Sequence, residues 1–225
     1  MALTKYQQQL RTLLSPAERR VFAGLSTPQK IQDYLDHSPA NLLTKGEHTM
    51  KSPRRVLQTG SAHCLEGAML AATALAYHGR PPLLLDLEST DNDYDHIVAL
   101  FKQNGRWGAI SKTNYPVLRW RDPVYASVRE LALSYFHEYF LDNGKKTLRR
   151  HSGPFNLQKF DPKRWVIAEG DVDWLAEALG DAKHFPIASP KTIKALRRAS
   201  KVEVKATAVR EWKKDIKGKV RKATA

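Results

Sequence analysis

The only cysteine of this 225-residue chain lies where a protein could activate a nucleophile. The stretch "GSAHCLEGAMLAATALAYHG" places Cys64 after small and polar residues and before a run rich in Ala and Leu. This pattern predicts that Cys64 lies in the first turn of a buried helix. The free N–H groups and the dipole of a helix N-terminus lower a thiol pKa and could stabilise an oxyanion. The alternative is an inert buried thiol, since free cysteine is among the most buried residue types.

A nucleophilic cysteine needs a base, usually histidine, and the chain contains eight histidines. His96 opens the apolar segment "HIVALF" directly after an acidic turn, where an imidazole could reach the start of a packed helix. His63 neighbours Cys64, and because neighbours on a helix point apart, we expect it to be a poor base. His78 and His137 fall on predicted helices, where solvent or packing roles are expected. For His96 the alternative is a strand-end residue without a catalytic role.

Several helix starts are marked by a capping residue followed by proline, a combination typical of the first helical turn. The segment "SPAERRVF" also carries a glutamate three residues after its serine, which makes a capping box. The sequence therefore predicts helices that begin after Ser15, Thr27, Ser52, Asp122 and Ser189.

Between these helices the apolar period changes to that of strands. "PPLLLDLE", "HIVALF" and "RWGAIS" predict three strands, and "KQNGRW" predicts a tight hairpin between the last two. "RWVIA" at 164–168 is a predicted fourth strand, and "DVDWLAEAL" a following helix. The order predicts an α+β domain over residues 1–190, with an antiparallel sheet and a helical N-terminal region at 1–58.

The order "GSAHCLEGAMLAATAL", "DHIVALF", "RWGAIS" resembles the transglutaminase-like superfamily of papain-fold cysteine enzymes. "ISKTN" and "RDPVYASVRELALSYFHEYF" are similar to an uncharacterised bacterial branch of that superfamily. The resemblance covers roughly residues 52–115. It implies a papain/transglutaminase-like fold in which a buried Cys-bearing helix packs on a small antiparallel sheet. It also implies Cys64 as nucleophile and His96 as general base.

The third member of the implied triad departs from the family pattern. Family members often place an aspartate where this chain has Ser111, and a serine cannot offset imidazolium charge as a carboxylate does. Asn114 is the alternative, because papain-like enzymes can use an amide in this role. Asp95 neighbours His96 on a strand and therefore faces the other way. Gln58 lies six residues before Cys64, the spacing at which papain-like enzymes place an oxyanion-hole amide; a plain surface glutamine is the alternative.

Other motifs are incomplete. "DNDYDH" begins like a calcium loop, but its sixth position is His96 instead of glycine and its twelfth is Lys102 instead of glutamate. "HEYF" lacks the second histidine of a zinc protease, since Leu141 stands four residues after His137. We therefore expect no metal and no organic cofactor.

The net charge of +14 is concentrated near the end of the sequence. Residues 191–225 contain 13 Lys and Arg against 3 Asp and Glu, and Trp212 lies among the lysines. This basic extension could contact nucleic acid or an acidic protein, or could be a solvated segment that forms one or two marginal helices. The longest nearly apolar run is Ala68 to Tyr77, which is too short to cross a membrane.

The sequence thus favours a cytoplasmic cysteine hydrolase or acyltransferase that acts on a peptide or amide bond. The cytoplasm is expected because one cysteine cannot form an internal disulfide and the N-terminal sequence lacks a secretory pattern. The alternative is a non-catalytic binding protein with the same fold, whose basic extension contacts its partner.

Overall fold

The computed structural model describes residues 3–41, 49–214 and 220–222, and within them the protein is a mixed α+β structure. Four short helices come first: α1 (Lys5–Leu13), α2 (Pro16–Gly24), α3 (Pro28–His37) and α4 (Pro53–Thr59). The predicted caps Ser15, Thr27 and Ser52 each accept a hydrogen bond from the backbone N–H three residues on, so these three predicted helix starts are confirmed. The fifth helix, α5 (Cys64–Tyr77), is buried almost throughout.

The three predicted strands are confirmed as an antiparallel unit. They are β1 (Leu83–Glu88), β2 (His96–Gln103) and β3 (Arg106–Ile110). Asn104 and Gly105 have φ values of 50° and 76°, which is the turn chemistry predicted for the hairpin between β2 and β3. The sheet extends on both sides through β4 (Arg121–Tyr125), β5 (Arg150–Ser152), β6 (Phe155–Asn156) and β7 (His184–Pro186). The strand order is β4-β3-β2-β1-β5-β7, and β6 also pairs with β1.

Two hydrophobic cores cover the two faces of this sheet. Because side chains alternate along a strand, Leu84 faces one core and Leu85 the other. The first core contains α5 and the N-terminal helices; the second contains α6 (Val128–Ser134). As a result α5 lies across β2, with its N-terminus at the end where β2 begins.

One predicted helix start and one predicted strand are wrong. The predicted helix does not begin at Asp122, because Asp122 to Tyr125 belong to β4, and the Asp122 carboxylate accepts from Trp120 Nε1 instead of capping. The proline after Asp122 is tolerated because β4 is an edge strand, and α6 begins later, capped by Ser127. "RWVIA" is not a strand: Pro162–Arg164 is a 3₁₀ helix, and the apolar residues after it include Trp165, which is fully buried.

The C-terminal segment is packed onto the rest of the protein. After α7 (Asp173–Gly180), where a helix is predicted, it forms α8 (Pro190–Lys194) capped by the predicted Ser189, then α9 (Lys201–Ala206) and a hairpin of β8 (Trp212–Lys214) and β9 (Val220–Lys222). The basic extension predicted at 191–225 also includes residues 215–219 and 223–225, which lie outside the described residues. Across the ranges that are described, no helix has the length and apolar character needed to cross a membrane.

Candidate active site

Cys64 is the first residue of α5, as the sequence predicts. Gly60 ends α4 in the left-handed region, with φ at 62°, a conformation that suits glycine. The chain then pairs with Ala40, whose carbonyl accepts from the Ala62 N–H at 2.9 Å, and enters α5 from that fixed position. The thiol is half-buried, and its sulfur lies 4.0 Å from the backbone carbonyl oxygen of Asp95, immediately before β2. Cys64 and the start of β2 are therefore neighbours.

The buried imidazole of His96 is oriented by two oxygen atoms. Nε2 lies 2.8 Å from Ser111 Oγ and 3.1 Å from the carbonyl oxygen of Leu118. The Ser111 hydroxyl donates its only proton to that same carbonyl at 2.6 Å. Because Nε2 faces a carbonyl and a hydroxyl whose proton is used, Nε2 must be the donor in both contacts. The proton that His96 exchanges is therefore carried on Nδ1.

Leu118 is a positioning residue that the sequence did not indicate. It adopts a left-handed backbone with φ at 60°, which is uncommon for a residue with a branched side chain. Its N–H donates to Glu138 Oε2 at 2.8 Å, and Glu138 also pairs with Arg121 at 2.7 Å. This anchoring aims the Leu118 carbonyl at Ser111 and His96. A backbone carbonyl has no side-chain signature, so residue types alone could not have revealed it.

The close approach of the segment after β3 to α5 depends on Gly67. A Cβ at Gly67 would lie 2.5 Å from the Cβ of Lys112, the residue after Ser111. Ser111 itself is held by Gln32 of α3, which exchanges two backbone-to-amide hydrogen bonds of 2.9 Å with it. Ser111 thus has a fixed place between α3, α5 and His96.

A second histidine also contacts Cys64, which corrects the expectation that His63 points away. His63 is not on the helix: it is the N-cap residue, with φ −92° and ψ −172°, so its side chain is free to reach the thiol. Its Nε2 interacts with the Thr49 carbonyl and lies 3.4 Å from Glu66 Oε1. The Glu66 carboxylate also accepts from the His63 backbone N–H at 3.0 Å. The sequence carried a signal for this, since Glu66 stands three residues after the N-cap.

Glu66 is the most completely satisfied acid near the site. Its side chain is 1% exposed and accepts from Thr49 Oγ1 and from the Lys51 N–H, both at 2.8 Å. The Lys51 ammonium lies 3.6 Å from Glu66 and donates to the carbonyl and hydroxyl of Ser61 at 2.8 and 2.7 Å. A buried carboxylate with this many donors is a rigid anchor for its neighbours.

These contacts change the protonation of the thiol. Burial raises the pKa of Cys64, but hydrogen bonds and positive charge from His63 and His96 outweigh it and hold that pKa well below the ordinary value. Burial lowers the pKa of His63, whereas the contacts with Cys64, Glu66 and Thr49 raise it to about 9. The geometry therefore favours a thiolate beside an imidazolium.

Asp86, on the sheet near the site, is a buried acid of a different kind. Burial, together with the charge of Asp95, raises the pKa of Asp86 on β1 to about 7, and the Cys64 charge adds to the rise. Asp86 Oδ2 lies 3.2 Å from His184 Nε2, while Oδ1 is buried without a hydrogen-bond partner in the described structure. Asp95 instead accepts from the backbone and hydroxyl of Ser89.

Two further predicted site residues lie elsewhere. Asn114 does not contact His96; its amide donates to the Trp212 carbonyl at 3.1 Å and accepts from the Trp212 N–H at 2.6 Å. Arg119, from the same loop, bonds Glu211 at 2.9 Å. Gln58 is exposed and lines a cavity of about 290 Å³ between α2 and α4. Of the two residues expected to orient His96, Ser111 is the one in contact with it.

No protein-family model matches the sequence, and no curated protein resembles it at a significant level. The likeness to transglutaminase-like enzymes therefore stays a prediction based on motif order. Within residues 3–41, 49–214 and 220–222, no three His, Cys, Asp or Glu side chains are grouped so as to hold a metal ion.

Proposed function

We propose that the protein is a cysteine-dependent hydrolase or acyltransferase of the papain/transglutaminase-like type, acting on a peptide or amide bond. The observation that carries this proposal is the orientation of His96. Its Nε2 is committed to Ser111 and Leu118, so Nδ1 is the atom that serves the neighbouring Cys64. A thiolate beside an imidazole of fixed tautomer is the minimum arrangement for nucleophilic cysteine catalysis.

In the first half-reaction the Cys64 thiolate attacks the carbonyl carbon, and a C–S bond forms. The N–H groups of the first turn of α5 lack intrahelical partners and stabilise the resulting oxyanion. The C–N bond then breaks, and the amine leaves with the Nδ1 proton of His96, which that nitrogen had taken from the Cys64 thiol. The product is an acyl-thioester on Cys64.

In the second half-reaction water attacks the thioester, and His96 Nδ1 takes its proton. The C–S bond breaks, which releases the acid and restores the thiolate. An amine in place of water would give transfer. We favour hydrolysis, because no residue identified in the structure marks an amine site.

Ser111 and Leu118 replace the usual carboxylate in this scheme. Two oxygen acceptors fix the imidazole and stabilise the imidazolium through their dipoles, without a full negative charge. Gln58 remains only a predicted oxyanion group, since its exposed side chain lies at α2 and α4.

The test uses p-nitrophenyl acetate as the acyl donor, because the natural substrate is unidentified. We expect wild type to show a burst of nitrophenolate followed by turnover, with transient acetylation of Cys64 detected by mass spectrometry. Cys64→Ser should abolish the burst, and His96→Asn should accumulate acetyl-enzyme that hydrolyses slowly. A matched control is His78→Asn, since His78 follows the opposite end of α5 and bonds the Phe22 carbonyl. Acetyl-Cys64 as long-lived in wild type as in His96→Asn would contradict the proposal.

A second function, partner binding through the C-terminal segment, is favoured by its exposed basic side chains: Lys191, Lys194, Arg197, Arg198, Lys201 and Lys205. The partner would be nucleic acid or an acidic protein, and the affinity would fall steeply with salt. Fluorescence anisotropy with a labelled oligonucleotide and with polyglutamate, at low and high salt, tests this function. Affinity that does not respond to salt would exclude it.

The free thiol suits a reducing compartment, so we place the protein in the cytoplasm.

A further inference from the structure

We propose that two histidines divide the activation of Cys64: His63 supplies a fixed positive charge that keeps the sulfur ionised, and His96 alone moves protons. The inference deepens the proposed cysteine chemistry and rests on it. It assigns a function to His63 and Glu66 that the motif order does not imply.

The surroundings of His63 differ from those of a proton carrier. Its Nε2 faces the Thr49 carbonyl and the Glu66 carboxylate, both of which are acceptors. Nε2 is therefore a donor, and since the ring also interacts with the Cys64 sulfur, we assign Nδ1 as the nitrogen that faces the thiol. An imidazole that donates at both nitrogens is the imidazolium form.

Glu66 makes this charge persistent. It is enclosed by α5 and the segment before α4, and Lys51 lies on its other side at 3.6 Å. Burying a lone thiolate is costly, whereas a thiolate beside an imidazolium buries no net charge. Glu66 and Lys51 likewise offset each other. The four groups together carry no net charge once Cys64 and His63 are both ionised.

His96 has no carboxylate beside it and no charged anchor. Its Nε2 contacts only the neutral oxygens of Ser111 and Leu118, so no negative charge on that side of the ring fixes a second proton on Nδ1. The proton that leaves with the amine and the proton taken from water therefore pass through His96. In each half-reaction His63 keeps its proton. The sulfur therefore still has a positive charge beside it after His96 has given up its proton.

Other titratable groups around the thiol do not replace His63. Asp86, from β1, has the wrong sign of charge, and its buried Oδ1 has no partner within the described residues. The Asp95 carboxylate is engaged by Ser89. The phenol of Tyr139 is buried, and burial raises its pKa far above neutrality, so it carries no charge.

The experiment measures the rate of Cys64 alkylation by iodoacetamide against pH, together with the ultraviolet absorbance of the thiolate. Because Cys64 is the only thiol, both signals come from one residue. The variants are His63→Asn, Glu66→Gln and His96→Asn, with His78→Asn as control. Asparagine is a preferred N-cap residue, so His63→Asn preserves the start of α5. Circular dichroism and the plateau rate near pH 10 verify that folding and access are unchanged.

We expect His63→Asn to return the thiol pKa toward the ~8.5 of a free cysteine, which leaves about one thiolate in 300 at about pH 6. Alkylation at that pH should fall by up to that factor, and by about tenfold in Glu66→Gln. His96→Asn should slow alkylation only a few-fold, while it strongly slows deacylation. The reverse order, with reactivity at low pH lost in His96→Asn and kept in His63→Asn, would overturn the inference.

Failure of this inference can be separated from failure of the proposed function. Suppose that the thiol pKa is low and depends on His63, but acetyl-Cys64 is never hydrolysed. This result would support the inference and contradict the proposed enzymatic function. Deacylation by wild type with a thiol pKa that is indifferent to His63 would do the opposite. An unreactive thiol at low pH in wild type would reject the inference directly.

Discussion

The two sides of Cys64 are built from different chemistry and from different parts of the chain. The His63 side comes from a short stretch, Thr49 to Glu66, and consists of charged groups enclosed together. The His96 side joins β2, the end of β3 and the loop to Leu118, and contains only neutral acceptors. In the proposed mechanism, charge and direction, which one carboxylate supplies in a conventional triad, come from separate structures.

The largest effect should come from removing the charged anchor. Glu66→Leu leaves Lys51 without its counter-charge and leaves the Thr49 hydroxyl without its acceptor. Breaking a buried ion pair in this way costs about 3–5 kcal/mol of unfolding free energy. Urea denaturation followed by circular dichroism measures this loss. A loss below about 1 kcal/mol would mean that Glu66 is no more important than an ordinary surface acid.

Asp86 offers the opposite case, a buried acid that is poorly satisfied. Its pKa in the folded protein, about 7, lies above the ordinary 3.8, so folding favours the protonated form. The stability linked to this proton is complete below about pH 4 and is lost as the pH rises through about 7. Asp86→Asn imitates the protonated form and can donate to His184. It should therefore be more stable than wild type by up to about 4 kcal/mol at about pH 8, with the difference nearly vanishing near pH 4. Thermal denaturation across this range tests the sign.

On the neutral side, Ser111→Ala should affect direction without affecting charge. In this variant the Leu118 carbonyl still accepts from His96 Nε2. The imidazole has lost the other of its two acceptors, the Ser111 hydroxyl. We expect deacylation to slow about tenfold, with about 1 kcal/mol lost in stability and an unchanged thiol pKa. Deacylation kinetics and the alkylation profile should be measured on the same sample. A large rise in thiol pKa would show that the two sides are not independent.

The smallest effect is expected from Asn114→Ala. Asn114 holds Trp212 through two hydrogen bonds, and its loop joins Ser111 to Leu118. Losing this support should slow deacylation only two- to threefold, which corresponds to a rise of about 0.5 kcal/mol in the activation free energy. Val209→Ala is a suitable control, because Val209 is exposed in the same segment. A loss as large as that of His96→Asn would instead support Asn114 as the residue that orients the base.

The sequence predicted those parts of the site that depend on local pattern. Cys64 at the start of a buried helix and His96 at the start of a strand follow from periodicity and spacing. Ser111, just beyond the next strand, was indicated by the resemblance to transglutaminase-like enzymes. What it missed depends on the backbone or on distant packing. His63 was placed on the helix instead of at its extended cap, and the Leu118 carbonyl has no side-chain signal.

The error at Asp122 has a similar cause. A capping residue before proline fits a helix locally, but pairing with β3 takes the segment into the sheet edge. Asn114 was considered for His96 because of its distance in sequence. Its actual partner is almost a hundred positions away, and no local pattern connects the two.

The contact between Asn114 and Trp212 has a consequence for any ligand of the basic C-terminal segment. Consider a ligand that binds the β8–β9 hairpin only when the hairpin is detached from the Asn114 loop. Because thermodynamic linkage is reciprocal, the affinity of this ligand is lowered by the same factor by which attachment is favoured. Conversely, a saturating amount of such a ligand would shift the equilibrium toward a loop between Ser111 and Leu118 that lacks its contacts with the hairpin. For a ligand of this kind, two hydrogen bonds and the Arg119–Glu211 ion pair would link occupancy of the basic segment to the loop that orients His96.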